Sequence, residues 1–444
     1  MTWLKNRQIT PFGKVTTDVI IRAAQEFGTP LYLYDESVIV RKCAEALSMP
    51  SAFGLTVRYA VKANASRALL QLIHAQGLQL DLSTLYEARR AILAGIPCDR
   101  MMLTSQQVPG GKDREDLESM IRNGLTYTVC SLRQLTLISD FASRHGIPLA
   151  LRINPGVGAG ESVTRNTGDN YSSFGIHLAA LDRAAELIRD RGLTVRQVHV
   201  HIGSGGDPDM WRDNIDRELQ ITEKYFPDAD TVNLGGGFRE ARMPDETAAD
   251  IQVLGEHARD RFEDFARRTG RKLHMVIEPG TLIMANAGYV VARVVDEKWS
   301  GPTGFEFIII DAGMEINTRP LLYGSRHPFY IVSENGTLLS SEYDLNAMKY
   351  ELDFRVVVGR CCESGDSQSL DHQGHIIPRM MADPEIGDLF VIGGTGAYCS
   401  AMSLANYNSL VKAPEVLLRT DGTLRLIRKR QTLKQVVEDE LALE

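Results

Sequence analysis

The chain has 444 residues, 43% of them hydrophobic and 24% charged, with a formal net charge of −8. That is more than one ordinary core and fewer charges than a disordered chain, so two globular domains are expected. The acidic balance and scattered basic residues exclude a nucleic-acid footprint, and no apolar run reaches the length of a membrane span.

The first residues, Met1-Thr-Trp-Leu-Lys-Asn-Arg, lack the apolar stretch of a secretory signal, so a cytoplasmic protein is expected. None of the six cysteines has CxxC spacing, and Cys43, Cys98 and Cys130 read as reduced, mostly buried thiols. From Val57 to Glu278, eight strand patterns follow one another: VRYAVKA (57–63), LQLDL (78–82), MMLTS (101–105), TYTVC (126–130), PLALRI (148–153), RQVHVHI (196–202), TVNLGG (231–236) and LHMVIE (273–278). Amphipathic stretches such as YEARRAILAG (86–95) and LDRAAELIRD (181–190) lie between them. Eight β-α units in succession predict an α/β fold with a closed (β/α)8 barrel, with a doubly wound open sheet as the rival. After about Asn286 the pattern changes to strands separated by turns: GYVVARVVDEKW, FEFIIID, PFYIVS, FRVVVG, DLFVIG, EVLLR and LRLIR. The expected organisation is a barrel over 29–285 and a mainly antiparallel β domain over 286–444, joined by residues 1–28.

In such a barrel the chemistry sits at the C-terminal ends of the strands. Those ends carry Lys62, Asp81 with Ser83, Arg152, His201 with Ser204, Gly235-Gly236-Gly237 and Glu278. An aldehyde cofactor bearing a phosphate needs these groups. A desolvated lysine condenses with the aldehyde, glycines let backbone N–H groups approach the phosphate, and a carboxylate keeps a pyridine nitrogen protonated. Each residue alone has a plainer reading: a surface lysine, a turn, a core histidine, a strand end. Their coincidence on one rim outweighs those readings. The segment GVGAGESVT (156–164) matches neither a Walker loop nor GxGxxG, and no metal-binding pattern is present.

Several further motifs stand in order: YAVKANAS (59–66), HVHIGSG (199–205), NLGGGF (233–238), IEPG (277–280), RPLLYG (319–324), CCESGD (361–366) and GAYCSAMSLANYN (396–408). With them the chain resembles the fold-type III pyridoxal-phosphate decarboxylases, whose alanine racemase-like fold joins such a barrel to a β domain. The resemblance runs from TPLYLYDES (29–37) to LRLIRKRQT (424–432). It implies that Lys62 carries pyridoxal 5'-phosphate, that Glu278 pairs with the pyridine nitrogen and that His201 stacks on the ring. Ser204, Gly237, Gly280 and Tyr398 would hold the phosphate, with Gly235 and Gly236 also binding the cofactor. It also implies a homodimer with shared active sites, in which Cys362, Glu363 and Asp366 reach the partner's site. Cys362 and Lys62 are then the candidate proton donors to Cα.

Among these families the Cys-Glu-Ser triplet and GAYCSAMSLANYN are most similar to the diaminopimelate decarboxylases. That implies decarboxylation of meso-diaminopimelate to L-lysine, with Arg319 and Tyr323 at the distal carboxylate, Glu363 at the distal amine and Tyr398 also lining the substrate. Three positions depart from the pattern: Thr281 stands for an arginine, Ser173 for a lysine and Arg360 for a proline. One lost charge-assisted hydrogen bond costs roughly 1.5–3 kcal/mol of binding. The leading alternative is therefore a specialised paralogue acting on a modified or carrier-tethered amino acid. A racemase would not be expected to carry Glu278 and the Cys-Glu-Ser segment, and a non-catalytic regulatory homologue would have lost Lys62, His201 and the glycines.

Overall fold

The computed structural model describes residues 8–158, 166–203, 208–344 and 350–443. The chain divides into two compact units. One comprises Met1–Arg41, Ala241–Glu246 and Met284–Glu444, the other Lys42–Glu240 and Thr247–Ile283.

In chain order the strands begin with β1 (Leu31–Asp35), followed by β2 (Leu55–Ala60), β3 (Gln79–Leu82), β4 (Met101–Thr104), β5 (Thr126–Val129) and β6 (Leu149–Asn154). Next come β7 (Ile176–His177), β8 (Val195–Val200), β9 (Thr231–Asn233) and β10 (His274–Ile277). Eight of these, β2 to β6 and β8 to β10, pair in parallel around a ring. β2 closes it onto β10 through Val57↔Ile277, and β5 joins β6 through Thr128↔Ala150. All eight expected strands are present, and the open-sheet rival is excluded by the closure. The two-residue β7 was not expected; it pairs with β6 at the edge of the ring.

The helices between the strands form for local reasons. Leu85–Leu93 starts at Thr84, whose hydroxyl accepts the Glu87 N–H, and it buries Leu85, Ala88 and Ala91 at near-helical spacing. The lumen is bridged by side chains of non-neighbouring strands: Gln197 on β8 reaches Met102 Sδ on β4 at 3.1 Å. Polar residues therefore meet inside the ring.

The other unit is built on a ten-stranded sheet that adds β11 (Gly288–Trp299), β12 (Glu306–Ile310), β13 (Phe329–Val332), β14 (Leu338–Ser341), β15 (Leu352–Val358), β16 (Arg379–Ala382), β17 (Leu389–Ile392), β18 (Glu415–Leu418) and β19 (Leu424–Arg428). Its main path is β14-β13-β17-β11-β1-β18-β19, with β12, β15 and β16 branching from β11. Most pairings are antiparallel; β1 with β18 and β12 with β15 are parallel. The strand β1, assigned from sequence to the barrel, belongs to this sheet: Leu31 pairs with Val291 and Tyr32 with Glu415. All five of its residues are buried, so its composition matches a barrel strand, and only its neighbours decide where it goes. The helix Thr17–Phe27 packs Val19, Ile20, Ala23 and Ala24 into a core with Leu33, Tyr289, Val291, Tyr330 and Val416.

Candidate active site

Lys62 lies in a single 3-10 turn, Val61–Ala63, directly after β2. Its neighbours Val61 and Ala63 are buried while Lys62 itself is exposed. Its positive charge reaches Asp81, Glu87, His199 and His201. Asp81 sits on β3 beside Ala60 and is buried, with Oδ1 lacking a hydrogen-bond partner. Burial first, and Glu278 second, push its carboxyl well above the usual range, against the pull of Lys62.

Glu278 follows β10 and is fixed from two sides. Asn233, the last residue of β9, donates Nδ2 to Oε1 at 2.6 Å, and His199 Nε2 lies 3.3 Å from Oε2. Burial alone would raise this carboxyl, but His199 and His201 beside it and the hydrogen bond from Asn233 outweigh it and hold Glu278 well below the carboxylate range. It is therefore an ionised acceptor at neutral pH. Arg58, on β2, is pulled down to about 10 by burial, opposed by Glu278 and Asp81.

His201, two residues beyond His199, accepts the Gly236 N–H at Nδ1 at 3.2 Å. Burial, Lys62 and Arg152 hold its imidazole well below the histidine range. It is neutral, with the proton on Nε2. Gly235 has φ +67, and a Cβ there would stand 2.8 Å from His201 Nδ1 and 2.9 Å from Val200 O. At Gly236 a Cβ would be 2.2 Å from Glu278 O. The turn is held by Gly235 N–H on Asn233 Oδ1 at 3.0 Å and Glu278 N–H on Gly235 O at 2.8 Å. Gly280 is buried, and Thr281 opens the short helix Thr281–Met284. Arg152 is buried beneath the ring of Phe174, 4.7 Å from its centroid. Ser204 and most of the 156–164 segment lie outside the described residues.

The barrel residues form one constellation. The exposed amine, neutral imidazole, ionised carboxylate and glycine turn all belong to strand ends of one unit. They fit the groups that a phosphorylated pyridine aldehyde requires: close backbone approach at the glycines, an anion for a pyridinium nitrogen and a flat neutral ring. Sequence reasoning missed His199 and Asn233. The i, i+2 spacing of His199 and His201, and the polar residue ending β9, were their signals.

In the sheet unit, Arg319 is buried against two aromatic faces, 5.7 Å from the Tyr323 centroid and 5.9 Å from that of Tyr398. Its Nη2 donates to Ser325 Oγ at 3.1 Å, while Nε has no partner. Tyr398 holds a left-handed backbone, φ 59, a conformation that a non-glycine residue adopts at a cost. Cys362 and Glu363 lie in an exposed loop. The Cys362 N–H donates to Asn408 Oδ1 at 2.8 Å and Tyr407 OH to Glu363 Oε2 at 3.3 Å. Asp366, by contrast, is buried and takes the backbone N–H groups of Met314 and Cys361, each at 2.6 Å, so it anchors its own loop. Arg360 pairs with Glu315 at 3.2 Å, and exposed Ser173 accepts from Gln106.

Comparison with known proteins agrees with this chemistry. The family model described as "Pyridoxal-dependent decarboxylase, pyridoxal binding domain" matches residues 37–285. The chain is 30% identical to a diaminopimelate decarboxylase of Escherichia coli K12 over 431 residues, 96% of this chain and 97% of that protein. It is equally 30% identical to one from Streptomyces coelicolor, covering 94% and 91%. A crystal structure of diaminopimelate decarboxylase superposes with a TM-score of 0.86 at 30% identity, covering 96% of each chain. One from Helicobacter pylori, complexed with L-lysine, gives 0.77 at 26%, covering 94% of this chain and 98% of that one. The chain belongs to the pyridoxal-dependent decarboxylases: it is a carboxy-lyase whose cofactor is pyridoxal phosphate.

Proposed function

We propose that the enzyme removes the carboxylate from one end of meso-diaminopimelate to give L-lysine. Lys62 is the amine for the cofactor aldehyde, and Glu278 is the anion for its ring nitrogen. His201 is the neutral ring that stacks on it. Gly235, Gly236, Gly237, Gly280, Ser204 and Tyr398 are assigned to the phosphate. The bound cofactor supplies an electron-withdrawing ring that stabilises the carbanion left when CO2 departs. Glu278 stays ionised with Asn233 Nδ2 donating to one oxygen and His199 Nε2 3.3 Å from the other, and that observation carries the reading. A proton then returns to the substrate carbon from Cys362 or Lys62. Arg319 and Tyr323 take the distal carboxylate and Glu363 the distal ammonium. The exposure of the Cys362–Glu363 loop suits a homodimer in which this loop serves a partner's site, and the setting we assign is the cytoplasm. Among the described residues, no helix is long and apolar enough to cross a membrane.

A second reading is favoured by Thr281, which cannot offer a charge to a carboxylate. It is a paralogue acting on a modified or carrier-tethered amino acid. Incubation of the cofactor-loaded enzyme with meso-diaminopimelate, followed by assay of L-lysine and CO2, decides between them. Efficient turnover supports the first reading; a loaded enzyme that releases no CO2 supports the second.

A further inference from the structure

Two cysteines stand side by side in the sheet unit, Cys361 and Cys362, and a slip of one residue would exchange them. Their loop leaves β15 at Val358 and returns at Ser367, which bridges back to Val358. Its neck is closed by Gly359 N–H on Asp366 O at 3.1 Å. Within it, Glu363 N–H donates to Cys361 O at 2.8 Å and Asp366 N–H to Glu363 O at 3.1 Å. Cys362 is exposed and Cys361 half-buried.

The turn Gly313–Asn317, just before Arg319, meets this neck. It is closed by the N–H groups of Ile316 and Asn317 on Gly313 O, at 2.9 and 3.0 Å. A Cβ on Gly359 would collide with Gly313 Cα, so turn and neck touch through two glycines. Glu315, in the turn, is 3% exposed. Its Oε2 accepts the Gly313 N–H at 2.9 Å and the Cys361 thiol at 3.2 Å, and its Oε1 accepts the Arg360 Nε–H at 3.2 Å. One buried carboxylate therefore holds both residues that precede Cys362. Burial, then Glu315 and Asp366, push the Cys361 thiol well up, so it stays protonated as the donor. The next residue has a different partner, Asn408 Oδ1 on the Cys362 N–H.

We propose that Glu315 is a positioning residue for the decarboxylation: by drawing the Cys361 thiol inward and bracing Arg360, it makes Cys362 the thiol that is presented. This rests on the reading that the Cys362–Glu363 loop serves an active site. Glu315 and Cys361 act through the loop and touch no reacting atom. A slip in the loop would carry Glu363 away together with Cys362.

The test uses the cofactor-loaded enzyme and meso-diaminopimelate. Glu315→Ala should lower kcat by about ten- to a hundredfold, the cost of a donor misplaced by about an ångström. It should also raise KM, because Glu363 moves too. In D2O it should scatter deuterium over both faces of the carbon that lost CO2, where the wild type fills one face. A mere loss of folded enzyme would lower kcat alone. Glu315→Gln keeps an oxygen for the thiol and Cys361→Ser keeps a donor for the carboxylate, so both should retain most of the activity. Cys361→Val should follow Glu315→Ala.

Unchanged KM and single-face deuterium in Glu315→Ala overturn the proposal, and so does a Cys361→Ser variant as impaired as Cys361→Val. Cys362→Ala tests the reading beneath it. If that variant keeps wild-type kcat and one-face labelling, Cys362 is no donor and the reading and the proposal fall together. If it loses both while Glu315→Ala keeps them, only the proposal falls. Should the wild type release no CO2 from meso-diaminopimelate, the substrate reading fails and alkylation by iodoacetamide decides the proposal. The rate at Cys361 relative to Cys362 should then rise by about tenfold in Glu315→Ala, and an unchanged ratio overturns it.

Discussion

Asn233 Nδ2 donates to Glu278 Oε1 at 2.6 Å, joining the last residue of one barrel strand to the first residue beyond its neighbour. The same amide, through Oδ1, accepts the N–H of Gly235. One side chain therefore orients both the carboxylate and the glycine turn. Asn233→Ala should lower kcat by about tenfold or more, the worth of a hydrogen bond to a charged group. Steady-state kinetics alongside the cofactor's visible absorbance checks this, and an unchanged kcat would show that His199 alone fixes Glu278.

Lys62→Ala should abolish the protein-bound cofactor absorbance and reduce turnover by on the order of a thousandfold or more. Absorbance that persists unaltered in this variant would remove Lys62 from its assigned role.

Gly236→Ala tests the close approach in the turn. The added methyl would sit 2.2 Å from Glu278 O, a backbone atom that cannot swing aside. Overpacking of this kind costs about 1–3 kcal/mol, read as a lower urea midpoint together with weaker cofactor binding.

The two buried histidines should make the fold acid-sensitive. Burial lowers the pKa of both His199 and His201, most strongly for His201, where Lys62 adds to it. Below about pH 6.5 the unfolded chain takes up protons that the native state refuses, so stability falls as pH falls. Each histidine adds a slope of up to about 1.4 kcal/mol per pH unit there. Denaturation of His201→Asn at pH 7.5 and 5.5 should show a smaller difference than the wild type.

Glu218 should act with the opposite sign. It is wholly buried on the helix Pro208–Tyr225, with the backbone of Val200 beside it favouring the charged form. Burial, with Glu278 adding to it, pushes its pKa well up. Above the unfolded value of about 4.3 the unfolded chain releases a proton that the native state retains, so this group costs stability as pH rises. Glu218→Gln should therefore gain stability relative to wild type at pH 8 over pH 5. A pH-independent difference would show that the acid is not protonated in the native state.

Much of this was legible in the sequence because the barrel strands are short apolar runs with helical periodicity between them. Lys62, His201, the glycines and Glu278 all fall at their ends. β1 was not, since LYLYD reads identically whether its neighbours are barrel strands or β11 and β18. β14 and β16, LLSS and RMMA, carry no β-branched or aromatic residue to mark them as strands. Asn233 escaped because a polar residue ending a strand looks like turn punctuation until its partner across the sheet is known. Asp366 reads with its neighbours Glu363 and Ser364, but only burial separates the residue that ties down the loop from those displayed on it.

The path of β1 also decides how this enzyme can be cut. The chain passes between the two units after Arg41, Glu240, Glu246 and Ile283, so neither unit is a continuous stretch of the gene. A fragment ending near residue 285 would retain every barrel strand yet leave Leu31–Asp35 without β11 and β18. Five buried residues and two open strand edges would then face water, an invitation to aggregate. Residues 29–41 are better omitted from a barrel fragment than kept, and co-expression of complementary halves must keep them with the C-terminal piece.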